Sequence, residues 1–113
     1  MSKRRITALF PEALMNDFFA ELKASGLSVR KKSVFFEKGL IDLLLLDDSM
    51  IMERLVNEGF GVDANDVSDV FSITDDTSVE LEGLVFRLRQ LDPLLEGIQS
   101  RLMRSAVLYV TRR

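Results

Sequence analysis

The chain has 113 residues, 47% of them hydrophobic, which is enough apolar content for one folded domain or a pair of very small ones and argues against disorder. It contains no cysteine and no histidine, which removes disulfides, thiol catalysis, imidazole acid–base chemistry and the usual zinc sites together. The net charge of −3 is unevenly spread: residues 1–40 carry +4, residues 41–83 carry −11 and residues 84–113 carry +4, so two basic ends flank an acidic middle.

Lys3-Arg4-Arg5 followed by Ile6 to Phe10 begins like a signal peptide, but Pro11-Glu12 ends the apolar run too early. Leu43 to Leu46 is far too short to span a bilayer, so the expectation is a soluble cytoplasmic protein with no membrane partner. Arg5 to Phe10 reads as a strand in which Ile6, Ala8 and Phe10 face one side while Arg5, Thr7 and Leu9 face the other. Pro11 suits a helix start, with its φ already set and no N–H to leave unpaired. Leu14, Met15, Phe18, Phe19 and Leu22 then form one apolar face, with Gly26 as the stop.

Ser28 or Ser33 opens a second helix, with Arg30-Lys31-Lys32 around its first turn. Phe35, Phe36, Gly39, Leu40, Leu43 and Leu44 recur there at helical spacing. Val34, Ile41 and Leu45 fill the remaining side, which predicts a helix buried nearly all round. Asp47-Asp48-Ser49 caps a shorter helix reaching about Asn57, which Gly59 ends. Gly59 to Ser68 reads as an irregular acidic connector, and Asp69 to Thr74 as a second strand with Phe71 and Ile73 inward. Thr77 with Glu80 makes a capping-box pattern ahead of a helix bearing Leu81, Leu84, Val85, Leu88 and Leu91. Asp92-Pro93 then starts a last helix carrying Leu94, Leu95, Ile98, Leu102, Met103, Ala106, Val107 and Val110.

Carboxylates are plentiful, notably Asp47-Asp48 and Asp75-Asp76, yet they sit at caps and turns where acids serve the backbone. The sequence has no glycine-rich phosphate loop, no nucleophile elbow, no metal-ligand spacing and no EF-hand loop. The expectation is a protein that is not an enzyme and needs neither metal nor cofactor.

The order strand–helix–helix occurs twice. Sliding the chain by 67 residues pairs Ile6 with Ile73, Thr7 with Thr74, Leu14 with Leu81, Phe18 with Val85 and Ser33 with Ser100. It also sets Phe35, Phe36, Gly39, Leu40 and Leu43 against Leu102, Met103, Ala106, Val107 and Val110. The division expected is a first repeat over 1–46, an acidic connector over 47–68 and a divergent second repeat over 69–113.

On these residues the chain resembles the ribbon-helix-helix superfamily, the β-ribbon readers typified by the Arc and MetJ repressors. The resemblance rests on Arg5 to Phe10, Pro11-Glu12, the Leu14/Phe18/Leu22 face, Gly26-Leu27-Ser28, Ser33, Phe35-Phe36 and Gly39-Leu40. It covers residues 4–46 well and 69–111 weakly. Two departures stand out: the turn before the second helix is about three residues longer than the family favours, and Leu9 with its repeat partner Asp76 would occupy outward strand positions that are usually polar or basic.

The resemblance implies an α+β fold in which two β-α-α repeats of one chain form a monomeric pseudo-dimer around a two-stranded antiparallel ribbon, with a homodimer as the alternative. It implies sequence-specific binding of double-stranded DNA in the major groove, as a transcriptional regulator or an accessory factor in plasmid, conjugative or T-DNA processing. Base contacts would come from Arg5, Thr7, Leu9, Ser72 and Thr74, and phosphate contacts from Lys3, Arg4, Arg30, Lys31, Lys32, Ser33, Arg101 and Arg104. The plainer reading is an exposed strand residue for the ribbon positions, a solvated loop for Arg30 to Ser33 and a disordered N-terminus for Lys3 and Arg4, with Arg101 and Arg104 the weaker equivalents. The main rival is a protein-interaction module, antitoxin-like or an assembly factor, whose residues 47–113 hold a protein partner; a small helical bundle without a ribbon is weaker.

Overall fold

Residues 2–58 and 65–111 are described by the computed structural model. In chain order they form β1 (Lys3–Phe10), α1 (Glu12–Ala24), a single 3-10 turn (Val29–Lys31), α2 (Lys32–Leu44), α3 (Asp48–Val56), β2 (Val67–Thr74), α4 (Asp75–Leu91) and α5 (Ile98–Thr111). The fold is α+β, with five α-helices and one two-stranded antiparallel sheet. Among the described residues no helix is long and apolar enough to cross a membrane.

Alternation decides the strands. Ala8 and Phe10 of β1 and Phe71 and Ile73 of β2 are buried, and Ile6 is half-buried, while Arg5, Thr7 and Leu9 are exposed. Each strand begins two residues earlier than expected, because pairing extends the ladder to Lys3↔Thr74 at one end and Phe10↔Val67 at the other. Val67 and Ser68 therefore belong to the sheet rather than to the connector. The rest of the expected connector, including the stop at Gly59, falls largely on 59–64, outside the described residues.

A two-stranded sheet has two open edges whose backbone groups need partners. On the β2 edge, Ser72 N–H donates to Ser33 Oγ at 2.9 Å and Thr74 N–H donates to the Glu37 carboxylate at 3.2 Å. The spacing explains the match: four residues of helix rise about 6 Å, and two residues of strand advance about 6.6 Å. Side chains one turn apart on α2 thus meet alternate amides of β2. On the β1 edge, the Arg104 guanidinium of α5 donates to the Leu9 carbonyl at 3.3 Å.

Phe71 centres the core. It stacks on Phe36 at 4.2 Å and meets Phe10 and Phe18 edge-on at 5.8 and 5.7 Å. Packing is exchanged between the two ends of the chain: α2 lies along β2, α5 against β1, α1 against α5, and α2 crosses α5 at the middle. At that crossing a Cβ on Gly39 would sit 2.7 Å from the Ala106 carbonyl oxygen and against the Val110 side chain. Only glycine allows so close an approach.

Local chemistry closes most elements. Gly26, at φ +78, ends α1 in a Schellman motif, with Leu27 N–H donating to Leu22 and Gly26 N–H to Lys23. The expected long turn before α2 is real and holds the 3-10 segment, so α2 starts at Lys32 and Ser33 lies inside it. Asp47 caps α3 by accepting the Met50 N–H at 2.9 Å.

Three expectations fail. First, α2 is not buried all round: Val34, Ile41 and Leu45 are exposed, because α5 and β2 occupy only its other face. Second, Thr77 and Glu80 do not form a capping box. Strand runs directly into helix, Thr74 is the N-cap of α4, Asp75 and Asp76 fill the first turn, and Thr77 is buried inside the helix. Third, the last helix starts at Ile98 rather than Asp92-Pro93. Asp92 instead accepts the Leu94 N–H in a local turn, Gly97 takes φ +65, and Leu91 and Leu94 are exposed.

The Gly39 crossing predicts a specific loss. Gly39→Ala forces α2 away from the α5 backbone, so it should cost about 1–3 kcal/mol, read as a lower urea midpoint with an unchanged m-value. An unchanged midpoint would show that the helices separate without penalty.

Candidate nucleic-acid interface

The face of the sheet turned away from the core carries Lys3, Arg5, Thr7 and Leu9 on β1, directly opposite Thr74, Ser72, Val70 and Ser68 on β2. All four β1 residues are exposed, Leu9 at 48%. Arg5, in the middle of this face, forms no ion pair with any described residue. Thr7 lies one alternate position along, with its hydroxyl and methyl outward. Charge on the face comes from β1 alone.

The expected β2 contributors divide. Ser72 is half-buried on the outer face, with its N–H committed to α2. The Thr74 hydroxyl donates to Glu37 Oε2 at 2.8 Å and accepts the Thr77 N–H at the start of α4. A base contact by that hydroxyl would compete with the helix cap, so Thr74 is a structural residue. Asp76 raises no repulsion problem at the sheet: β2 ends at Thr74, and Asp76 lies exposed in the first turn of α4.

The cations divide as well. Lys3, on the outer face, shares a groove of about 510 Å³ with Val34, Glu37, Lys38 and Ile41. Arg30 and Lys31 are exposed in the 3-10 turn and make no ion pair with a described residue. Arg4 points the other way and meets Glu82 at 3.3 Å. Lys32 is tied to Asp69 at 2.6 Å and lies 5.4 Å from the Phe71 ring centre. The Ser33 hydroxyl holds β2. Arg101 donates to the Leu55 and Glu96 carbonyls at 3.0 and 2.9 Å, and Arg104 to Glu58 at 2.8 Å. Lys32, Ser33, Arg101 and Arg104 are thus engaged within the fold.

Two acids that sequence reasoning passed over hold this arrangement. Glu37 is buried and takes both the Thr74 and Thr77 hydroxyls, the latter at 2.6 Å. Burial pushes its pKa up, but the hydrogen bonds from Thr77 and Thr74, with help from Lys3, outweigh burial and leave it below 4.5. Glu58, with a side chain only 2% exposed, is neutralised by Arg104. Neither has a local motif; each is recognisable only through partners more than thirty residues away. Ser68 and Val70 were also missed: the parity of Ser72 already marks Val70 as outward, and Ser68 would have followed had the strand been read two residues longer.

Among the described residues no group of acids could hold a metal ion. Searches with the chain find no matching family model, no matching curated protein and no matching solved structure.

Two outcomes follow. Because the folded Glu37 carboxyl has a lowered pKa, its contribution is present above about pH 4.5 and is lost as pH falls through the folded value. Glu37→Gln should therefore lower the urea midpoint at pH 7 and flatten its decline towards pH 3; a decline as steep as in the unaltered chain would place the acid sensitivity elsewhere. Arg104→Ala should cost about 1.5–3 kcal/mol, since it removes the close charged hydrogen bonds to Glu58 and leaves that carboxylate only Arg101 at 4.0 Å. If Arg104 instead served phosphate, stability would hold and only salt-dependent binding would change.

Proposed function

We propose that the chain is a tandem ribbon-helix-helix protein that binds double-stranded DNA by inserting β1 and β2 into the major groove, without catalysis. One observation carries the reading: the strand register sets Arg5 opposite Ser72, two residues separated by the 67 positions that align the halves of the sequence. A two-fold relation between the halves would pass through that pair. The same shift matches Gly39 to Ala106, the residues at the α2–α5 crossing. Exchanged packing, with α2 along β2 and α5 along β1, is what a dimer of strand-helix-helix units joined into one chain would need.

A major groove about 12 Å wide admits a two-stranded ribbon. Arg5 would present two parallel donors to a guanine edge, and Thr7 a hydroxyl or methyl beside it. Arg30 and Lys31 would reach phosphate. The overall charge of −3 does not oppose this, since a cationic face acts locally within the screening length. Regulation of transcription, or an accessory part in plasmid or conjugative DNA processing, would be the setting.

The rival reading, a protein partner, draws on the exposed stripe Val34, Ile41 and Leu45 along α2. It is separable: Leu45→Ser, outside the groove that holds Lys3, should leave duplex binding intact if that stripe serves a protein.

Recovery of bound fragments from random duplex DNA tests the proposal. Arg5→Ala should weaken binding to the recovered site by about 1–3 kcal/mol and relax preference at one position. If Arg5→Ala leaves specific and non-specific binding untouched, the ribbon is not the reader.

A further inference from the structure

The two halves of the chain are alike in backbone order but not in charge. Under the 67-residue correspondence Lys3 and Arg5 meet Val70 and Ser72, and Arg30, Lys31 and Lys32 meet Gly97, Ile98 and Gln99. Every cation on the ribbon face or at the start of α2 has a neutral counterpart. Ile98 is moreover buried, and the residue just ahead of this segment is the acid Glu96.

Arg101 and Arg104 could in principle restore the balance, since they lie in the first two turns of α5. They are spent elsewhere. Arg101 donates to the Leu55 and Glu96 carbonyls, and Arg104 neutralises the buried Glu58 carboxylate and holds the Leu9 carbonyl. Freeing Arg104 for phosphate would leave the buried Glu58 carboxylate with only the longer contact to Arg101, at 4.0 Å. The β1 edge is therefore bordered by a helix start that has no available cation among the described residues.

The β2 edge differs. Ser33 and Lys32 fasten the start of α2 to Ser72 and Asp69, which sets Arg30 and Lys31 beside β2 with their charges uncommitted. Lys3 leans to the same side, into the groove it shares with Glu37 and Lys38 of α2. The free positive charge on this part of the molecule is gathered along α2.

Resting on the DNA-binding reading above, we infer that the chain grips duplex DNA along one flank of the ribbon only, and so takes an asymmetric, non-palindromic site. Phosphates beside β2 are held by Arg30 and Lys31, while among the described residues the start of α5 offers no free cation to those beside β1. Each neutralised phosphate contributes about 0.9 to the slope of log K against log salt. With Arg5 on a base edge, the complex should show a slope of magnitude about 2.5–3, in line with Lys3, Arg30 and Lys31, rather than the steeper one that all the basic candidates would give.

Phosphate ethylation interference tests this, using the full chain and a duplex recovered from a random 20-base-pair pool. Interference confined to one side of the site centre is the expected pattern. Exchange of Arg30 and Lys31 together for alanine should lower the salt slope by roughly two; Gln99→Ala should leave it unchanged. Interference spread equally on both sides, or a double variant that keeps the full slope, would overturn the inference while leaving DNA binding intact. If the unaltered chain binds no duplex, the DNA-binding reading fails and this inference with it.

Discussion

Glu37 stands where three elements meet. Its carboxylate accepts the last amide of β2, the hydroxyl that caps α4 and a buried hydroxyl inside α4, all from a position one turn along α2 from Ser33. Without these bonds the β2 edge would leave amides unpaired beside a helix, and the strand-to-helix corner at Thr74 would lose its anchor. A carboxylate can serve here because it only accepts, and every group around it donates. The cost of burying it is met by those donors, with Lys3 nearby. The ribbon's outward face depends on this hidden bond set, since the register that presents Arg5 is held from behind.

The same logic governs the cations. A positive side chain near the ribbon is available to a partner only if no carboxylate or carbonyl within the fold has claimed it. Lys32, Arg101 and Arg104 each have such a claim, and each is shielded from solvent by its partner. Arg5, Arg30 and Lys31 do not, Lys3 has only the field of the buried Glu37 beside it, and all four are exposed. The division is electrostatic in origin: a buried acid such as Glu58 needs its counter-charge far more than a solvated phosphate contact does.

Close approach of α2 and α5 at Gly39 brings both ends of the chain around one core. It lets Phe36 stack on Phe71 and brings α1 and α4 against the central helix pair. The outer side of α2 is then left uncovered, which is why Val34, Ile41 and Leu45 are exposed despite their apolar character.

Much of this was legible from residue order. Strand parity picked out Ile6, Ala8, Phe10, Phe71 and Ile73 as inward and Arg5, Thr7 and Leu9 as outward, because alternation follows from the geometry of an extended chain. Gly26 and Asp47 marked their helix ends because capping is local chemistry. What residue order could not supply is which partner each polar group would meet across the chain. Thr74 was read as an outward hydroxyl and is a cap; Arg104 was read as a phosphate contact and is the counter-ion of Glu58; the apolar residues of α2 could be counted, but which of them would be covered could not. Local propensity depends on neighbours a few residues away, and the sequence by itself determined whatever rests on that. Charge pairing and burial depend on residues brought together from up to 95 positions apart, and only the tertiary structure decided them.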